Sequence, residues 1–280
     1  MVKFFALLSR RIRRRLYPVV ALAIALVLVV SQPLVSQAIP WFDLIRQGIQ
    51  LIQLSSLSDK QEVEIGSQIN QQLVGRQIRL YRNPAINQYV NQIGQRLAAE
   101  GRRPDIPYRF QVVDDRSVNA FATMGGFIYV NTGLLTLASN EAELASVMAH
   151  EIGHIAARHA IKQMKETAIA RGITGAAGLD RNTAVNIGVE LAFRRPNSRK
   201  DEYEADVMGL ETMRGAGYAQ SAMVDFMSKL LRERSVPTFL STHPATSERI
   251  SRIQQIISSE GDSGGGLDRA AYQARLRSLT

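Results

Sequence analysis

The stretch His150-Glu151-Ile152-Gly153-His154 constrains this chain more than any other feature. Residues four apart on an α-helix share a face, so its two imidazoles converge on one point, and the glutamate beside the first histidine stands next to that point. Paired imidazoles with an adjacent carboxylate suit a divalent metal and a proton acceptor at its side. Asn140, with Glu141 and Glu143 in the following turn, marks a helix start. The pattern predicts one long helix carrying Val147 to Met164. On such a helix His159 would face away from the histidine pair, so it is expected as a packed, hydrogen-bonded residue and not as a ligand.

A metal that does chemistry needs a third protein ligand and an open position. Carboxylates for it stand in Arg199-Lys200-Asp201-Glu202-Tyr203-Glu204-Ala205-Asp206, which reads as part of a helix from about Ser198 to Gly215. Glu202 and Asp206 lie one turn apart on a common face, but spacing alone leaves Glu202 and Glu204 open as the ligand. With Glu202 in that place, Asp206 can accept from the outer ring nitrogen of a ligand imidazole and orient it.

Other helices are expected over Lys60 to Val74, from Asn83-Pro84 to near Gly101, over Gln220 to Arg232 and over Thr246 to Ile257. Tyr108 to Val113 and Phe127 to Val130 are β-prone, with Gly125-Gly126 as a turn between them. The run from Ser258 onward, rich in glycine, reads as a flexible tail over 258–280.

Arg10, Arg11 and Arg13 to Arg15 lead into the apolar run Val19–Val30 and then Ser36-Gln37-Ala38, the layout of a secretory signal over 1–38 or of an uncleaved anchor. Either implies an exported chain, periplasmic or otherwise extracytoplasmic. Phe42, Ile45, Ile49 and Ile52 then recur at helical spacing, so 39–57 is expected as an amphipathic connecting helix that packs on the domain or touches a membrane surface.

Charge excludes one class of partner. Six of the 34 basic residues precede residue 39, where no acidic residue occurs, which leaves 28 against 25 in the remainder. A chain so balanced carries no footprint for a phosphate backbone, and no nucleic acid is expected. There is no cysteine, so disulfides are excluded as well.

Three ordered motifs complete the reading: His-Glu-Ile-Gly-His, then Ser198-Arg-Lys-Asp-Glu-Tyr-Glu-Ala-Asp206, then Ser241-Thr-His-Pro-Ala-Thr-Ser-Glu-Arg-Ile250. Together with Asn119-Ala-Phe-Ala122 and Gly125 to Leu135, they resemble the metalloprotease family of the CAAX prenyl proteases, HtpX, BepA and the mitochondrial Oma-type protease. The resemblance covers roughly residues 58 to 257. It implies an α+β fold, a mostly helical zincin of the gluzincin type with a small β-sheet beside the active-site helix. It also implies Zn2+ held by His150, His154 and Glu202, with Glu151 as catalytic base.

His243 lies in a loop before a helix. The resemblance to BepA-like members implies that it is a displaceable fourth ligand or an oxyanion contact. The segment Gly126, Phe127, Ile128, Tyr129 and Val130 is expected to supply an edge strand that holds extended substrate. The implied function is zinc-dependent endopeptidase action on unfolded or misassembled exported or membrane-associated proteins, in protein quality control. The chain resembles a minimal exported member without HtpX's several spans or BepA's repeat domain, so prenylated substrates are not implied. A second expectation is a chaperone-like binding module stabilised by zinc, which Glu151 argues against because a structural site has no use for a base.

Overall fold

The computed structural model describes residues 51–280 apart from 174–178, 195–196, 234–235, 245–246 and 280. The 1–38 signal or anchor lies outside the described residues, as does 39–50 of the connecting helix. The described end of that segment is not α-helical: Leu51–Ile52 form β1 and Leu54–Ser56 a short 3-10 helix. In chain order follow α1 (Asp59–Arg76), α2 (Pro84–Ala99), β2 (Arg109–Val113), β3 (Ala120–Thr123), β4 (Phe127–Asn131), α3 (Thr132–Leu137) and α4 (Glu141–Ala156). Then come α5 (His159–Ala170), β5 (Leu179–Asp180), α6 (Arg181–Arg194), α7 (Arg199–Gly215), α8 (Ser221–Arg232), α9 (Phe239–Thr242), α10 (Ser247–Glu260) and α11 (Arg269–Arg275). The fold is mostly helical with one small three-stranded sheet.

Helix starts follow the caps visible in the sequence. Ser58 and Gln61 form a reciprocal capping box on α1, Asn83 with Pro84 caps α2, Asn140 accepts from the Glu143 amide at 2.9 Å, and Ser198 caps α7. The sheet order is β2-β4-β3, with β2 parallel and β3 antiparallel to β4. β4 is therefore the central strand, buried along its whole length. The edge-strand expectation for Gly126 to Val130 is corrected accordingly: both sides of β4 are already paired, the outer strands are β2 and β3, and β2 is partly covered by a bridge from Leu80 to Val113. The sequence of β3, Ala120-Phe-Ala-Thr123, is too short to show an alternating pattern.

The expected long helix also breaks. α4 ends at Ala156, and Arg158 takes a left-handed conformation (φ 57°, ψ 33°), unlike any other described non-glycine residue. Such a residue costs about 1–2 kcal/mol. Offsetting this, the Arg158 guanidinium donates to the Leu57 carbonyl at 3.0 Å and pairs with Asp59 and buried Glu62, while Arg103 donates to the Ile155 carbonyl at the helix end. These partners lie far away in sequence, and the local pattern gives no sign of them.

The tail is packed instead of flexible. Gly265 exchanges backbone hydrogen bonds with Gly217 and Ala219, and Tyr272 of α11 is buried with its hydroxyl donating to the Leu135 carbonyl at 2.8 Å. The glycines there serve close approach: a Cβ on Gly264 would come within 2.3 Å of the Tyr218 backbone. At the centre of the molecule lies α4, buried from Ala142 to Ile155 and packed by α2, α7, α8 and the sheet. Among the described residues, no helix is long and apolar enough to cross a membrane.

Candidate active site

Helix α7 crosses α4 at Gly153, where a Cβ would stand 2.7 Å from the Ala205 carbonyl oxygen. Only a glycine permits that approach, and it sets Glu202 and Asp206 against the histidine face. His150 Nε2 and His154 Nε2 lie 3.0 Å apart. Glu202 Oε2 is 3.5 Å from His150 Nε2, and Oε1 is 3.3 Å from His154 Nε2. His243, arriving on the loop after α9, places Nδ1 3.4 Å from His150 Nε2 and 3.2 Å from Glu202 Oε1. All four side chains are buried.

Donors at 2.0–2.1 Å around a tetrahedral zinc stand about 3.3 Å from one another, so these separations are those of a zinc-sized coordination shell. The chemistry of the set agrees, because it consists of imidazole nitrogens and a carboxylate that turn their acceptor atoms inward. So does the charge. Glu151, Glu202 and Asp206 are buried carboxylates and Arg249 is the guanidinium beside them, so with the imidazoles neutral, as metal ligands must be, the cluster is left two charges negative, which a divalent cation neutralises.

Surroundings tune each group. Burial pulls His150 down, but the carboxylates of Asp206 and Glu202 outweigh it and push the imidazole up to about 9. Burial pushes His154 down to about 3, with His150 and His243 adding to the effect against Glu202, so this ring keeps its lone pair. Burial raises Glu202 less than the three histidines lower it, and its carboxyl is held far below the usual range. Glu151 is raised, mainly by burial. Its Oε1 is buried without a well-formed hydrogen bond, 3.4 Å from His243 Nε2.

Of the residues singled out in the sequence, His150, Glu151, His154, Glu202, Asp206 and His243 are brought together. Asp206 Oδ1 lies 3.0 Å from His150 Nδ1, the outer nitrogen of that ring. Glu204 is not part of the cluster; it is half-exposed and faces His159. His159 is packed, as expected, but it does not point away. The break at Arg158 turns it back so that its Nδ1 lies 2.8 Å from His154 Nδ1.

Two features were not assigned a role from sequence. Arg249, inside the Ser-Glu-Arg-Ile motif, is 2% exposed and grips both carboxylates: Nε and Nη2 reach Asp206 at 2.8 and 2.7 Å, Nη1 reaches Glu202 at 2.5 Å, and Nη1 also donates to the Pro244 carbonyl. Its place in the third motif was the available signal. The other is β3, whose Phe121, Ala122 and Thr123 line an apolar cleft that opens on Glu151 and His154, with Met164 and Leu191 across it.

Comparison with known proteins identifies the family. Residues 84–257 match peptidase family M48. The chain belongs to that family. It is 31% identical over 217 residues to the beta-barrel assembly-enhancing protease of Escherichia coli, covering 70% of this chain and 44% of the relative. It is 28% identical over 255 residues to the metalloprotease LoiP of the same organism, covering 86% and 96%, and 33% identical over 183 residues to the mitochondrial metalloendopeptidase OMA1 of Schizosaccharomyces pombe, covering 60% and 52%. The chain spans about half the length of the assembly-enhancing proteases it matches.

Proposed function

We propose that this M48 chain is a zinc-dependent endopeptidase, with His150, His154 and Glu202 as metal ligands and Glu151 as general base. The observation that carries the reading is the convergence of these donors at tetrahedral separations beside a carboxylate oxygen left without a hydrogen bond. Zinc held there supplies Lewis acidity, polarising a carbonyl and acidifying a water molecule. Glu151 takes the proton of the attacking water and delivers it to the departing amine, and burial, by raising its proton affinity, suits it to both steps. Asp206 Oδ1, 3.0 Å from His150 Nδ1, orients that ring by its charge, and Arg249 holds Asp206 and Glu202.

His243 is the displaceable fourth ligand of a resting state. Its Nδ1 lies 3.4 Å from His150 Nε2 while its Nε2 faces Glu151, so it would join the other ligands when metal is bound, and withdrawing one ring would free a ligand position and the base together. That convergence favours the ligand role over an oxyanion contact. Extended substrate adds to the outer edge of β3, and the apolar cleft receives one of its side chains. An extended main chain and an apolar side chain are what unfolded or misassembled proteins expose. The family and the signal-like N-terminus support substrates among exported or membrane-associated proteins, in quality control outside the cytoplasm, with peripheral membrane contact through residues before 51.

Four protein donors taken alone would also suit a structural zinc in a chaperone-like module. Glu151 and the cleft weigh for hydrolysis. Incubating the full chain with casein, with and without a chelator, decides between them: peptide products that disappear on chelation are expected, whereas zinc-dependent folding without any cleavage would leave the binding module.

A further inference from the structure

Helix α4 cannot reach His159 by continuing, yet His159 ends up against the second histidine of the motif. The chain breaks at Ala157–Arg158, and the left-handed Arg158 restarts it as α5 with His159 as the first residue. His159 is 2% exposed. Its Nδ1 lies 2.8 Å from His154 Nδ1, and its Nε2 lies 3.4 Å from Glu204 Oε2 and 3.6 Å from Asp201 Oδ1. Lys162 pairs with the same Asp201 oxygen at 2.5 Å.

Protons can be placed on this chain by elimination. Two ring nitrogens at 2.8 Å need one N–H between them, since two hydrogens would collide and two lone pairs would repel. His154 turns Nε2 toward Glu202 and His150, and as a metal ligand it must offer the lone pair there. Its single proton therefore sits on Nδ1 and is donated to His159 Nδ1. His159 must then carry its own proton on Nε2, the nitrogen that faces Glu204 and Asp201. Every group ends with a role that its neighbour complements.

We propose that His159 is a positioning residue for the metal site, accepting the Nδ1 proton of His154 and thereby fixing the tautomer and ring orientation that present Nε2 to the ion. It serves His154 as Asp206 serves His150, so that each ligand imidazole is held at its outer nitrogen by a residue from beyond α4. A neutral acceptor here suits the charge balance, because the carboxylates of Asp201 and Glu204 stay one residue further out. The proposal rests on the reading of His154 as a ligand.

The test separates acceptor chemistry from packing by comparing three variants of the full chain. His159→Phe keeps ring volume without an acceptor, His159→Asn keeps an acceptor near the Nδ1 position with less volume, and His159→Ala removes both. Zinc affinity is read by competition with a chromophoric chelator, with circular dichroism to verify folding. The dissociation constant is expected to rise roughly ten- to a hundredfold in the Phe and Ala variants and to stay within about threefold in Asn. Wild-type affinity in the Phe variant, or one common loss in all three, would overturn the proposal. Long-range 1H–15N spectra of the wild-type protein should show His154 protonated at Nδ1 and His159 at Nε2, and the opposite tautomers would also overturn it. Failure of the wild-type chain to bind zinc at all would instead strike the ligand reading beneath it.

Discussion

Arg249→Met removes the permanent cation inside the buried carboxylate cluster while keeping most of the side-chain stem. Among the described residues Arg249 donates twice to Asp206 and once to Glu202, buried and at 2.5 to 2.8 Å, and also to the part-buried Pro244 carbonyl at 2.9 Å. Taking one partner from a buried ion pair costs about 3–5 kcal/mol, because the charge left behind can neither pair nor be solvated. The metal-free variant should therefore unfold with a stability loss of that size, or about 6–20 °C in melting temperature for a folded region of this length. Saturating zinc should recover part of the loss by supplying positive charge to the same carboxylates. The double variant Arg249→Met with Asp206→Asn should lose less than Arg249→Met alone, since one of the stranded charges is then gone. Urea denaturation followed by circular dichroism of metal-free and zinc-loaded protein measures all three. A loss below about 1 kcal/mol for the metal-free single variant would mean that these carboxylates are not balanced by Arg249, and the charge argument for a dication would fall with it.

Glu202→Ala should lose zinc far more severely than Glu204→Ala, measured as metal per chain after dialysis, because Glu204 faces His159 and solvent; the reverse ranking would reassign the third ligand. His243→Ala should raise the rate of peptide cleavage and weaken zinc modestly if its ring closes the site at rest; a fall in turnover with zinc retained would assign it to the oxyanion instead.

The sequence made the centre of the site legible because its geometry is local. Positions 150 and 154 share a face on any α-helix, as do 202 and 206, and caps such as Asn140 and Ser198 fix where those helices begin. Long-range contacts hid the rest. The break after Ala156 depends on Leu57, Asp59, Glu62 and Arg103, about 50 to 100 residues away, and nothing near Arg158 announces it. For the same reason His159 was expected to face away from the histidine it touches. Strand order likewise follows from pairing, not propensity: β4 pairs on both sides and is buried along its length, which leaves β2 and the plainer β3 outermost. Arg249 sits in a charged stretch that reads as a helix surface until the carboxylates opposite it are known. The glycines near 264 allow a close crossing over Tyr218 that composition cannot tell from flexibility.

Glu151→Gln addresses the central claim most directly, since it changes one atom at the cluster and replaces no proposed ligand. Purified variant and wild type should bind the same amount of zinc by elemental analysis and show the same circular dichroism, while casein or peptide cleavage falls by at least about a hundredfold. Cleavage near the wild-type rate in a zinc-loaded variant would remove Glu151 from the chemistry and contradict the account.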